Sequence, residues 1–311
     1  MNKPEVIVIT GPTASGKTAL SVKIAESLQR NTGKIVEIIS ADSRQIYKHI
    51  PITTAQPSNE ILSKFKHYFI NELELDEEFN AGLFGNKARK IITHNFKNNK
   101  ITIVAGGSGL YINSLVYGFF NLSSNEENLN EKIKYFRKEL YKIKTINGME
   151  HLINELKKID KDYYNSLNEI TERRIIRALE IYYATGIPFS VHRRRKIPID
   201  FIPVIYAISI DRNELYNRIN IRTEKMLKTG MIEEIETLFS LGFHYKTHNS
   251  LNTVGAKEIF DYLEGKINKQ KMTELIKQNT RRFAKRQLTW FRADKNINWI
   301  ESINGVKLNI Y

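Results

Sequence analysis

The first third of the chain alternates between short apolar runs and longer stretches of helical period. Residues 5–10 are a β-branched run. A Gly-rich turn follows, and residues 17–29 continue as a helix. Residues 35–40 read as a second strand and residues 101–105 as a third, which runs into Gly106-Gly107-Ser108-Gly109. Strands separated by helical crossovers predict a parallel sheet. Near Gly118 the pattern changes, and residues 121–184 carry charged segments with Leu and Ile at helical spacing and few strand signals. Ile187-Pro188 and Ile197-Pro198 punctuate the exit, an apolar strand over 202–210 resumes the earlier pattern, and from Asn213 onward the chain reads as mostly helical. The expectation is an α/β core of residues 1–118 and 199–311, interrupted by a helical insertion domain of residues 119–198 and closing on a helical C-terminal region.

Composition narrows the classes. With 311 residues, the chain is long for one compact domain and suits one large domain with an insertion, or two. The absence of cysteine excludes disulfides, a thiolate zinc site and a cysteine nucleophile, and fits the cytoplasm. The N-terminus enters its first strand without a long apolar leader, and the longest apolar run, 201–210, is about half a membrane span, so no membrane association is expected. A net charge of +14 points to a polyanionic partner, for which tRNA, DNA and anionic lipid all qualify. The alternative is a Lys- and Asn-rich composition with no bearing on partners.

Gly11-Pro12-Thr13-Ala14-Ser15-Gly16-Lys17-Thr18 matches the phosphate-loop pattern G-x-x-x-x-G-K-[ST], between a strand and a helix. The glycines let several backbone N–H groups point at one phosphate, Lys17 supplies a mobile cation, Thr18 a hydroxyl for a metal ion, and the helix N-terminus its dipole. The fold class is therefore a P-loop-type parallel sheet. A nucleotide hydrolase would usually add an apolar strand ending in Asp to help hold magnesium. Here the strand 101–105 ends in Gly-Gly-Ser-Gly. Asp211 follows another apolar strand, but Asp211-Arg212-Asn213-Glu214 also fits a helix-capping box, which is the preferred reading. Asp42, just past the second strand, lies where ligands bind in open α/β sheets. Asp42 is a candidate base or metal ligand, and equally a helix cap.

Basic residues cluster late in the chain. Lys277, Arg281 and Lys285 share one helical face, with Arg282 and Arg286 beside it. Ile276, Phe283 and Trp290 recur every seven residues, a stripe expected in the core rather than as a base-stacking platform. Arg173, Arg174 and Arg177 would contact phosphate or form a solvated face, and His192-Arg193-Arg194-Arg195-Lys196 reads as an exposed linker.

Together these pieces resemble the tRNA dimethylallyltransferase family, in order and over nearly the whole chain. The phosphate loop is followed by Asp42-Ser43-Arg44-Gln45-Ile46-Tyr47, Thr54-Ala55-Gln56-Pro57, Gly106-Gly107-Ser108-Gly109-Leu110-Tyr111, and Arg173-Arg174-Ile175-Ile176-Arg177-Ala178-Leu179-Glu180. Leu215-Tyr216-Asn217-Arg218-Ile219-Asn220, Gly255-Ala256-Lys257-Glu258, Thr280-Arg281-Arg282 and Ala284-Lys285-Arg286-Gln287-Leu288-Thr289-Trp290 complete the set. The chain departs from the family pattern at Thr53 (usually Gly), Gln56 (Lys) and Ala256 (aromatic), and Asn168-Glu169-Ile170-Thr171 stands where His-Pro-Asn-Asp is expected.

The resemblance implies a monomeric cytoplasmic enzyme that holds dimethylallyl diphosphate in the loop Gly11–Thr18, uses Mg2+ on Thr18, and prenylates the N6 amine of the adenosine 3′ of the anticodon. It implies Asp42 as base, Ser108 and Lys17 as further catalytic groups, and tRNA contacts along the anticodon arm. Those contacts would come from Asp42, Ser43, Arg44, Gln45, Ser108, Arg173, Arg174, Arg177, Lys257, Arg281, Arg282 and Lys285. Competing classes are a small-molecule kinase or NTPase, a nucleic-acid-binding module without catalysis, and a prenyltransferase of free adenine nucleotides.

Overall fold

A computed structural model of the chain describes residues 3–118, 127–194 and 198–301. In chain order its strands are β1 (Glu5–Thr10), β2 (Val36–Ser40), β3 (His67–Tyr68), β4 (Ile101–Ala105), β5 (Ile202–Ile208) and β6 (Ile297–Ile300). The helices are α1 (Lys17–Thr32), α2 (Asn59–Lys64), α3 (Ala81–Lys97), α4 (Gly109–Val116), α5 (Glu127–Ile159), α6 (Lys161–Asn165), α7 (Glu172–Thr185), α8 (Phe189–Arg194), α9 (Arg212–Lys228), α10 (Met231–Ser240), α11 (Ala256–Leu263) and α12 (Lys269–Arg292). The chain divides into two compact units, Met1–Val116 with Ile199–Tyr311, and Tyr117–Pro198.

In the first unit the strands form one parallel sheet in the order β3-β2-β4-β1-β5-β6. All five residues of β2 are buried, which is why this strand reads as a continuous run rather than an alternation. Helix α1 turns Ser21, Ile24, Ala25 and Leu28 to the core, an i, i+3, i+4, i+7 stripe that packs with Ile9, Ile38 and Ile103 of the sheet. Its end is set by Gly33 at φ 67°, a left-handed position that glycine enters without strain. The parallel α/β architecture expected from the sequence is present. The sequence pattern does not mark the strand at either edge of the sheet. With two residues, β3 is too short to leave a pattern, and β6 follows the long helix directly and is recognisable only by its pairing, Ile205 with Ile297.

The second unit is helical. Its long segment α5 is broken at Gly148, where φ is 80°, so that both halves fold against one core. That core gathers Leu140, Leu152, Leu156, Tyr163, Ile175, Ile176 and Leu179. Glu180 is also fully buried, held by Arg137 (2.6 and 2.9 Å) and by Arg177 (2.5 Å). Of the exposed basic linker expected at 192–196, Arg193 and Arg194 are indeed exposed, but they belong to a helix rather than a linker, and His192 is buried. His192 lies in α8, 2% exposed, with Nε2 3.0 Å from the Thr185 hydroxyl. Arg193 sits 5.6 Å over the Tyr163 ring and Arg194 donates to Asp162 at 2.7 Å. Phe189 of the same helix packs against the core of the unit, while Arg195 and Lys196 lie outside the described residues. Among the described residues no helix is long and apolar enough to cross a membrane.

Candidate active site at the carboxyl ends of β1, β2 and β4

Strand register decides which loops meet. Ser40 of β2 pairs with Ala105 of β4, and Ala105 pairs with Ile9 of β1. The three strands therefore end level, and the loops beginning at Gly11, Ala41 and Gly106 leave the sheet side by side. Two backbone bonds tie the latter two, from Ala41 N to Ala105 O (2.8 Å) and from Ser108 N to Ala41 O (3.1 Å). The approach is so close that a Cβ on Gly106 would stand 2.2 Å from the Ala41 carbonyl oxygen, so no larger residue fits there without moving backbone.

The phosphate loop wraps from Gly11 to the start of α1, with Gly16 at φ 95° as the residue before the helix. There is no acidic residue in the first turn of α1, so its free N–H groups and positive dipole end are uncompensated. Lys17 folds back, donating from Nζ to Pro12 O at 2.6 Å. Burial, assisted by the nearby Arg222 charge and opposed by Asp42, pushes the Lys17 ammonium down to about 7. Arg222 of α9 donates to the Thr13 hydroxyl, and burial lowers it too, with Asp42 again opposing. Two desolvated cations therefore stand at the loop with one carboxylate near them.

That carboxylate is not a helix cap. Asp42 Oδ1 accepts from Arg44 N at 2.9 Å in a turn, and the next helix begins only at Asn59. Ser108 Oγ accepts from Ser43 N at 3.0 Å, so its own proton stays free to donate to a ligand. Burial pushes the neighbouring Tyr111 phenol far up, which removes it as a base. Asp211, by contrast, is a cap, accepting from Asn213 N at 2.8 Å and Glu214 N at 3.1 Å. Glu214 does not return the bond of a capping box but pairs with Arg218.

Gln287 was not singled out as a site residue by the sequence reading, and neither was Arg222. Gln287 is buried in α12, where Oε1 accepts from Thr13 N (2.8 Å) and Nε2 donates to Gly107 O (2.9 Å). It thereby pins the phosphate loop to the Gly-Gly-Ser-Gly turn. Gln56 performs a similar closure where the family resemblance has lysine, donating to Gln45 O (2.8 Å) and Tyr47 O (3.0 Å). The unusual Thr53 and its neighbour Ile52 give their amides to Glu234 of α10, both at 2.8 Å, and Ala256 is fully buried.

The residues expected to contact tRNA divide by what they already hold. Arg44 donates to the carbonyls of Asn249 and Asn252, and the Gln45 amide to those of Thr54 and Ala55. Arg281 is turned to α9, donating to Asn220 at 2.8 Å, as is Lys277 to Glu224 at 2.6 Å. Lys257, Arg282 and Lys285 are exposed on the same unit. In the helical unit Arg173 is exposed, Arg174 donates to Glu169 O at 2.7 Å, and Arg177 is engaged with Glu180. One expectation is overturned. Of the seven-residue stripe only Ile276 is core (3% exposed), whereas Phe283 is 37% and Trp290 44% exposed. α12 buries Met272, Ile276, Ala284, Gln287 and Phe291 instead. Helical period does not separate them, because Met272 lies on the same line as Trp290 and is fully buried; what differs is which elements pack against each stretch of α12.

A phosphate loop between a parallel strand and a helix, with desolvated cations at its mouth, defines a P-loop α/β protein built to hold a phosphorylated ligand. Comparison with known proteins gives the family. A profile of the IPP transferase family matches residues 45–294. The tRNA dimethylallyltransferase of Natranaerobius thermophilus is 42% identical over 296 residues, covering 95% of this chain and 86% of that protein. The tRNA dimethylallyltransferase of Acetivibrio thermocellus is 42% identical over 298 residues, covering 95% and 91%. Among solved structures, the full-length tRNA isopentenylpyrophosphate transferase of Bacillus halodurans superposes with a TM-score of 0.67 at 32% identity, covering 96% of this chain and 90% of its own. A eukaryotic dimethylallyltransferase acting on tRNA superposes with a TM-score of 0.80 at 27% identity, covering 96% and 73%. The chain belongs to the IPP transferase family.

Proposed function

We propose that this enzyme is a tRNA dimethylallyltransferase that moves the dimethylallyl group of dimethylallyl diphosphate onto the N6 amine of the adenosine 3′ of the anticodon, releasing diphosphate. The observation that carries this reading is the meeting of Lys17, Arg222, Asp42 and Ser108 at one level of the sheet, in a chain whose relatives carry that name. A kinase is disfavoured because β4 is followed by Gly106-Gly107 rather than an aspartate, and Asp211 is engaged as a helix cap.

The chemistry follows from the groups present. The adenine amine is a weak nucleophile, and the allylic carbon–oxygen bond breaks with positive charge spread over the prenyl group. Its electron pair leaves with the diphosphate, whose charge the loop residues Gly11, Pro12, Thr13, Ala14, Ser15, Gly16, Lys17 and Thr18, the α1 amides and Arg222 neutralise. Ser108 donates to the bridging oxygen. As the new nitrogen–carbon bond forms, Asp42 accepts the N6 proton. Among the described residues no three acidic or histidine groups could form a metal cage. A single Thr18 hydroxyl beside a diphosphate fits Mg2+, which takes most of its ligands from phosphate and water. When bound, Mg2+ would add charge neutralisation at the leaving group. Asp42, Ser43, Ser108, Arg173, Lys257, Arg282 and Lys285 are the groups we assign to tRNA, and we take the enzyme to act as a cytoplasmic monomer.

Incubation of tRNA lacking the modification with the enzyme, Mg2+ and dimethylallyl diphosphate should yield N6-dimethylallyladenosine at the position 3′ of the anticodon by nucleoside mass spectrometry. Unmodified tRNA alongside ATP hydrolysis would move the protein to the kinase class.

A further inference from the structure

Three exposed side chains on α12 form a feature that the reaction just described leaves unused. Phe283, Arg286 and Trp290 stand at i, i+3 and i+7, one exposed stripe along the margin of the helix's buried face. The Arg286 guanidinium lies 5.8 Å over the Phe283 ring. At the other end the Trp290 indole abuts the active-site turn, where a Cβ on Gly109 would fall 2.3 Å from its ring. Gly109 is the residue after Ser108, so the stripe runs from the reacting centre outward over the surface of one unit. Its surroundings are cationic, since residues 281–292 include Arg281, Arg282, Lys285, Arg286 and Arg292 and no acidic residue.

We propose that Trp290 and Phe283, with Arg286 between them, are a stacking platform for the unpaired tRNA bases that flank the acceptor adenosine. The inference rests on the tRNA reading above and names the part of the substrate this face takes. The dimensions agree: seven residues of helix rise about 10 Å, the span of roughly three stacked bases at about 3.4 Å each. A five-carbon prenyl group would need only the Trp290 end. Aromatic faces interleaved with arginine are the combination that holds single-stranded nucleic acid without reading its sequence, because every base has a π-face and every step a phosphate. The platform also holds a splayed loop open, so that the acceptor base can leave its stack and reach Asp42.

The chain has two tryptophans, so Trp299→Phe leaves Trp290 as the sole indole reporter. Titration of that protein with an RNA hairpin carrying the anticodon loop should quench Trp290 emission, with the midpoint found by anisotropy of the labelled hairpin. In the same assay Trp290→Leu and Phe283→Leu should each weaken hairpin binding by roughly 5- to 100-fold. Trp290→Phe should recover most of the loss, and dimethylallyl diphosphate should bind each variant as it binds the parent. Should Trp290→Leu disturb the adjacent turn and diphosphate binding, Phe283→Leu, two turns away, carries the test alone. A hairpin that binds and is prenylated while Trp290 emission stays unmoved, or while the Phe283 variant keeps parental affinity, overturns the platform and leaves the tRNA reading standing. A hairpin that neither binds nor is prenylated overturns both.

Discussion

Charge is handled in opposite ways in the two units. At the phosphate loop Lys17 and Arg222 are desolvated together, with Asp42 the one carboxylate acting on both. In the helical unit Glu180 is fully buried, yet two arginines meet it at 2.6 and 2.5 Å. A buried charge with matched partners is satisfied and holds the packing around it. Two partly buried cations near enough to repel are destabilised, and an incoming anion would relieve them. Uncompensated charge, rather than charge as such, is what marks the proposed binding site, and a motif arginine such as Arg177 can be structural.

The sharpest way to break this comparison is at Asp42. If Asp42 is the base, Asp42→Asn should lower single-turnover prenylation by roughly a hundred- to ten-thousand-fold while tRNA and diphosphate bind within a few-fold. Near-normal turnover would reduce it to the turn-former that its bond to Arg44 N already makes it.

At the cations, Lys17→Met should weaken dimethylallyl diphosphate binding by roughly 10- to 150-fold, the worth of one charged hydrogen bond. The pH dependence has a definite sign. Free Lys17 titrates at about 7, and a bound anion raises that value. Above about 7 binding therefore takes up a proton, so affinity is full below that pH and declines as pH rises above it. Calorimetry at pH 8 in buffers of different ionisation enthalpy should detect the uptake in the parent and lose it in Lys17→Met. Equal proton balances in the two proteins would place the lysine outside the anion's reach.

In the helical unit the effects should fall on stability. Glu180→Gln should cost about 1–3 kcal/mol, read from the urea transition of that unit, without altering diphosphate affinity. The smallest effect separates the arginines. Arg173→Gln should flatten the slope of log affinity for tRNA against log salt by about 0.7–0.9, one phosphate's counterion. Arg177→Gln should change the slope less, because Glu180 already holds that side chain. Equal changes would mean that both arginines face RNA.

By itself the sequence determined what is local. The phosphate loop is eight consecutive residues whose glycines dictate a backbone shape, and β1, β4 and the start of α1 fall where apolar period and Gly16 place them. The parallel sheet follows from strands separated by helices. Tertiary structure decided everything that depends on distant partners. Asp42 and Ser108 come together only through the register of Ser40 and Ala105. Arg222 and Gln287 reach Thr13 across 209 and 274 residues, separations over which no spacing rule operates. Phe283 and Trp290 have the same period in a core as on a surface, and only the elements packed against α12 settle which face is covered. Backbone conformation is encoded within a few residues, whereas burial and charge compensation belong to whichever side chains the fold brings close.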